Sequence, residues 1–95
     1  MSVYFMANIR INSDQEYARY LEHSDEIFAR HKGTYLAVDN APRVMEGDWD
    51  YSRAVLIRFE TKEDFDAWYN SEEYQEILHY RLSASECDTI LIQGN

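Results

Sequence analysis

The chain has 95 residues, 45% of them apolar and 15% aromatic, enough for one domain with its own core and too few for two, since independent cores need on the order of 100 residues; that apolar share excludes intrinsic disorder. The formal charge of −9, with no local basic patch to offset it, argues against a nucleic acid or an anionic membrane as partner. No stretch approaches the roughly 20 apolar residues of a membrane span, the N-terminal MSVYFMANIR lacks the basic start and small-residue cleavage site of a signal peptide, and the lone Cys87 cannot close an internal disulfide, so the expectation is a single domain over residues 1–95 of a cytoplasmic protein.

Val3 to Ile11 alternates, with Val3, Phe5, Ala7, Ile9 and Ile11 on one face and Tyr4, Met6, Asn8 and Arg10 on the other, and predicts a first strand with one dry side. Ser13-Asp14-Gln15-Glu16 has the capping-box spacing of a helix start. Tyr17, Leu21, Ser24, Ile27, Phe28 and His31 then recur at helical steps, and Arg30, Lys32 and Gly33 supply a basic, glycine-terminated end. Thr34 to Val38 predicts a short strand, Asp39-Asn40-Ala41-Pro42 a bend, and Arg43 to Glu46 a return to extended chain. After the polar turn from Gly47 to Ser52, Arg53 to Glu60 predicts the central strand, with Val55, Ile57 and Phe59 on its dry face and Ala54, Leu56 and Arg58 on its mixed one. Thr61 caps a second helix through Asp64, carrying Phe65, Trp68 and Tyr69. Ser71 caps a third through Tyr74, followed by Ile77, Leu78 and Leu82, and Thr89 to Gln93 ends the chain as a strand.

This order predicts an α+β fold, a ferredoxin-like βαββαβ unit with an antiparallel sheet and its helices on one face. Helices there cover Phe5, Ala7, Ile9, Val55, Ile57, Phe59, Ile90 and Ile92, and nothing remains to cover Tyr4, Met6, Leu56 and Leu91 opposite. An exposed sheet carrying such residues is an association surface, and closed pairs are the commonest homo-oligomers. The expected partner is therefore a second copy, a homodimer closed through the sheet face.

Glu46-Gly47-Asp48-Trp49, the strand Arg53-Ala54-Val55-Leu56-Ile57-Arg58-Phe59 and, above all, Phe65-Asp66-Ala67-Trp68-Tyr69-Asn70-Ser71-Glu72-Glu73-Tyr74-Gln75 resemble the small bacterial family called domain of unknown function 1330. The resemblance spans nearly the whole chain and implies a dimeric α/β barrel, two ferredoxin-like sheets face to face with helices outside. It implies no reaction, because the wider relatives include cofactor-free and haem-dependent monooxygenases, isomerases and decarboxylases. Haem-degrading relatives use an asparagine on the first strand, a tryptophan on the second helix and a histidine about ten residues later; Asn8, Trp68 and His79 are the corresponding residues. His79 comes one position late, a rotation of about 100° on a helix, and Asn8 falls on the mixed face.

Among other candidates, Glu76-Ile77-Leu78-His79 has the spacing of a di-iron half-site, but no second copy or further carboxylates accompany it, and no metal site is expected. His23 and His31 lie too far apart along a helix to converge on one ion, and His31 reads as a helix-end residue. Cys87, between Glu86 and Asp88, is not placed as a nucleophile. Arg43, Glu46 and Trp49 sit where the bent strand meets the polar turn, and Tyr69, Tyr74 and Arg81 come from the helix pair. Arginines and tyrosines bordering a cleft can hold a small planar or carboxylated ligand through a guanidinium fork, hydrogen bonds and stacking. The competing readings are core packing for Trp68 and Tyr74 and an interface clamp for Trp49. Three functions stay open: a small-molecule enzyme needing no cofactor, a small-molecule binding protein, and a structural or interaction dimer, with the haem-degrading monooxygenase as a fourth implied by the resemblance.

Overall fold

Three hydroxyl side chains start three helices. Ser13 Oγ accepts the Glu16 N–H at 3.3 Å at the head of α1 (Asp14–Phe28), Thr61 Oγ1 accepts the Asp64 N–H at 3.1 Å at the head of α2 (Lys62–Tyr69), and Ser71 Oγ accepts the Tyr74 N–H at 3.2 Å at the head of α3 (Glu72–Ala84). At Ser13 the capping box is only half formed, because the Glu16 carboxylate turns outward and accepts from Ser83 on α3 at 3.2 Å. The strands are β1 (Val3–Ile11), β2 (Gly33–Asp39), β3 (Arg53–Phe59) and β4 (Ser85–Gln93), and the computed structural model describes residues 1–95.

The strands form one antiparallel sheet in the order β2-β3-β1-β4. Directly paired residues share a face, so Val3, Phe5, Ala7 and Ile9 align with Phe59, Ile57, Val55 and Arg53, on the side that all three helices cover. The core there is aromatic: Trp68 lies within 6.0 Å, centroid to centroid, of Phe5, Phe28, Phe59, Phe65, Tyr69 and Tyr74. Each fully buried side chain of this size contributes about 1.5–3 kcal/mol. The molecule is a slab of 32 × 31 × 16 Å, two layers thick.

Three expectations are corrected. Ile90 and Ile92 do not face the helices; β4 pairs Met6 with Ile90, Tyr4 with Ile92 and Phe5 with Leu91. Leu91 therefore packs on the core, while Ile90 and Ile92 stand on the open face, 55% and 39% exposed. The strand begins at Ser85, directly from α3, and the buried Ser85 sets the parity of everything after it. Gly33 opens β2 and is not a helix-ending glycine in the left-handed region, where Gly47 alone lies. A Cβ on Gly33 would stand 2.5 Å from Phe28 Cζ and 2.8 Å from Phe59 Cε1, so the absent side chain makes room for the core. Arg43 to Glu46 form no strand: from Asn40 to Ser52 the chain runs irregularly past the sheet edge, interrupted by Pro42. This segment is pinned by Ser52 N–H to Ile9 C=O at 2.8 Å, Arg10 Nε–H to Asp50 C=O at 2.7 Å and Arg53 Nη1–H to Asn40 Oδ1 at 2.8 Å.

Candidate functional site

On the helix-covered side, α1 does not close fully against the sheet, and a cavity of about 460 Å³ remains between them. Phe5, Ala7, Ile9, Val55 and Ile57 form its floor, Tyr17, Tyr20 and Ser24 its α1 wall, and Trp68 and Arg81 its far end. Leu21, Asp25, Tyr35 and Val38 surround the mouth, where Leu21, Tyr35 and Val38 are 39%, 39% and 46% exposed. Ser24 is small at the position where a larger residue would fill the space.

Arg81 follows Tyr74, Ile77 and Leu78 along the buried stripe of α3 and is 3% exposed. Its guanidinium donates through Nη1–H to Tyr74 Oη at 3.4 Å and lies 5.9 Å from the centroid of the Tyr20 ring. Tyr20 and Tyr74 share a hydrogen bond of 2.7 Å between their hydroxyls. Burial drives both phenol pKa values up, and pushes Tyr17 up to about 12, so these hydroxyls are neutral donors near pH 7. Burial works against the Arg81 charge, and Tyr74 and Tyr20 raise its pKa above the ordinary arginine value only as they ionise in strong alkali, so near pH 7 the guanidinium is a buried cation beside neutral phenols. Arg81 Nε and Trp68 Nε1 are both buried without a hydrogen-bond partner.

The open side of the sheet carries a second cleft, of about 500 Å³, between Met6, Asn8, Ala54 and Leu56 and the overhanging segment with Pro42, Arg43, Val44, Met45, Glu46 and Trp49. Around it Tyr4, Met6, Leu56, Ile90 and Ile92 make an apolar centre. Arg10, Arg58, Glu86 and Asp88 form a charged rim, in which Arg10 pairs with Asp50 at 3.2 Å and with Glu86 at 2.6 Å. Trp49 meets Tyr51 edge to face at 5.2 Å, and the Tyr51 hydroxyl donates to Asp88.

The six residues singled out from sequence thus fall on two sides of the sheet. Arg43, Glu46 and Trp49 line the open-face cleft; Arg81 lines the inner cavity, with Tyr74 behind it. Tyr69 packs on Phe65 and Tyr74 at the margin of the core. Sequence reasoning missed Tyr20, Asp25 and Arg53 as cavity residues. The legible signal was Arg81 itself, a charge on an otherwise apolar helical stripe, which requires a special neighbourhood.

Asn8, Trp68 and His79 do not meet. Asn8 is on the open face, Trp68 in the core, and His79 exposed on α3 against Tyr80. His31 lies beyond the end of α1, with Nε2 3.5 Å from Glu73 Oε1, an ion-pair distance and not a hydrogen bond. No three His, Cys, Asp or Glu side chains converge as metal ligands, and no helix is long and apolar enough to cross a membrane.

Four antiparallel strands in this order, with every helix on one side, define the ferredoxin-like class, and solved structures agree. The RPA0582 protein of unknown function from Rhodopseudomonas palustris superposes with a TM-score of 0.82 at 15% identity, over 99% of this chain and 82% of that one. SnoaB, a cofactor-independent oxygenase from Streptomyces nogalater, gives 0.70 at 15% identity, over 99% and 93%. A dimeric ferredoxin-like protein of unknown function from Thermobifida fusca gives 0.72 at 14%, over 99% and 92%. At these identities the likeness establishes the fold. The family model described as Domain of unknown function (DUF1330) matches residues 2–95, and the chain belongs to that family. No curated protein matches the chain.

Proposed function

We propose that the protein is a homodimer closed through the open sheet face, each subunit of which binds a small organic molecule between α1 and the sheet without a tightly bound metal. The observation that carries the binding reading is the cavity: about 460 Å³ of apolar space with a buried N–H of Trp68 facing no partner, a volume within the range of ligand sites. A neighbour of the same fold is a cofactor-independent oxygenase, so the scaffold accommodates chemistry on an organic molecule, and turnover here is a further step of the same reading.

The dimer reading rests on the open face, whose apolar centre and charged rim have the anatomy of a protein interface. A dimeric neighbour of the same fold supports it. Arg43, Glu46 and Trp49, beside the exposed Val44 and Met45, then serve the subunit contact. Arg81 and Tyr74 serve the ligand. A purely structural dimer is the second reading, favoured by those same exposed residues around the open-face cleft.

Native mass spectrometry of protein taken directly from cells tests both parts together. Two chains carrying a small adduct that leaves on collisional activation is the expected result. A bare dimer supports the structural reading, and a bare single chain contradicts both.

A further inference from the structure

The cavity is apolar, but its three charged residues do not cancel. Arg81 stands at its far end, Arg53 near its opening, and Asp25 at the mouth. No carboxylate comes within 4.0 Å of either arginine. Asp25 instead accepts from the Tyr35 hydroxyl at 3.5 Å. Two cations against one anion leave the cavity one positive charge in excess, inside a chain whose overall charge is −9.

The two arginines are not equivalent. Arg53 is half-buried, with its Nη1–H on Asn40 and its guanidinium 5.8 Å from the centroid of the Tyr17 ring. Arg81 is 3% exposed, and its side chain makes one long hydrogen bond to a neutral phenol. A guanidinium carries five N–H donors and does not lose its charge in proteins, and at Arg81 the Nε–H is buried without a partner. A buried cation without a counter-ion costs several kcal/mol, and a core evolving for stability alone would place an apolar residue on that stripe. The unmatched group has the planar fork that binds a carboxylate in two parallel hydrogen bonds. The walls beside it, Phe5, Tyr17, Tyr20 and Trp68, are flat rings.

We propose that the cavity recognises a planar organic monoanion of the aromatic or conjugated carboxylate class, with the anionic group on the Arg81 guanidinium and the ring system against Trp68 and Phe5. This rests on the small-molecule reading above and adds the charge and shape of the ligand. Trp68 Nε1–H, buried and unpartnered at the same end of the cavity, is a further donor available to it.

The test uses the full chain, ¹⁵N-labelled, with trans-cinnamate and its neutral isostere trans-cinnamamide as probes, each titrated into the millimolar range while the Trp68 indole N–H and Arg81 Nε–H resonances are followed. Cinnamate is expected to shift both resonances and to bind at least about tenfold more tightly than the amide, a gap of about 1.4 kcal/mol. In Arg81→Met that preference is expected to vanish. In Arg81→Lys, which keeps the charge and loses the fork, it is expected to shrink but persist, and this variant carries the test if the first does not fold. Equal binding of the two probes, or a preference unchanged in Arg81→Met, overturns the anion site and leaves the small-molecule cavity standing. No shift with either probe, or with a panel of other aromatic carboxylates and their amides, overturns both.

Discussion

The two faces of the one sheet are built from the same strands and differ in what lies against them. Inward, β1 and β3 present Val3, Phe5, Ala7, Ile9, Val55, Ile57 and Phe59, all buried by the chain's own helices. Outward, the residues one step along, Tyr4, Met6, Asn8, Ala54, Leu56 and Arg58, are only half-buried, and Ile90 and Ile92 are exposed. A side-chain period of two lets one strand serve two purposes. The inner face holds the fold together and encloses a cavity, while the outer one carries apolar side chains that the chain's own helices do not cover. Helices on one side only give an acidic 95-residue chain one covered sheet face and one open face, and the proposed dimer closes the second.

Substitution on the two faces should separate these roles. Trp68→Ala removes the ring around which six aromatic neighbours pack and should cost about 3–5 kcal/mol, read by urea denaturation and independent of protein concentration. Met6→Ala, on the outer face, should instead lower stability in a concentration-dependent manner, because its loss is coupled to association. A concentration-independent loss at Met6 would erase the distinction.

Alkali should act chiefly on the inner face, since on the outer one the raised phenol is Tyr51, held up by its hydrogen bond to Asp88. Burial raises the pKa of Tyr17 from 10.0 to about 12 and raises those of Tyr20, Tyr35 and Tyr74. Where the folded pKa exceeds the unfolded one, stability is intact below pH 10.0 and is lost as pH rises towards the folded value, because the unfolded chain releases its protons first. Tyr17 alone corresponds to about 2–3 kcal/mol by about pH 12. Thermal unfolding followed from neutral pH upward should show melting temperatures flat below pH 10 and falling above it; a flat profile throughout would contradict the burial of these phenols.

A smaller effect carries the opposite sign. Arg81→Met should stabilise the ligand-free protein by about 1–2 kcal/mol, since an apolar side chain of similar length replaces a buried, unpaired cation, and calorimetry should show a rise in melting temperature of about 4–8 °C per kcal/mol. A drop would mean that the Tyr74 hydrogen bond and the Tyr20 ring already satisfy the charge. Smallest is Ser71→Ala, which removes the cap of α3 and should cost about 1 kcal/mol, measured by the same denaturation.

Much of the fold was legible because its signals are local. Ser13, Thr61 and Ser71 announce their helices through cap chemistry that acts over three residues, and β1 and β3 alternate cleanly. The facing of β4 was not legible, because Ile90, Leu91 and Ile92 form an unbroken apolar run that fits either parity; the buried Ser85 and the pairing with β1 decide it. Residues 40–52 offered no period at all, and their path along the open face is fixed by long-range bonds from Arg10, Ile9 and Arg53. That path separates Arg43, Glu46 and Trp49 from Arg81 and Tyr74 by the thickness of the sheet, a distinction no linear spacing contains. The cavity itself depends on α1 standing off the sheet, and only the small Ser24 and the misplaced charge of Arg81 hinted at it.

Sedimentation equilibrium of the ligand-free protein at micromolar concentration, beside an Ile90→Lys variant that places a charge in the middle of the outer apolar patch, bears most directly on the division between the two faces. The expected result is a mass of two chains for the natural sequence and of one folded chain for the variant. A natural protein that sediments as one chain, or a variant that stays paired, would show that the outer face is not where the molecule completes itself.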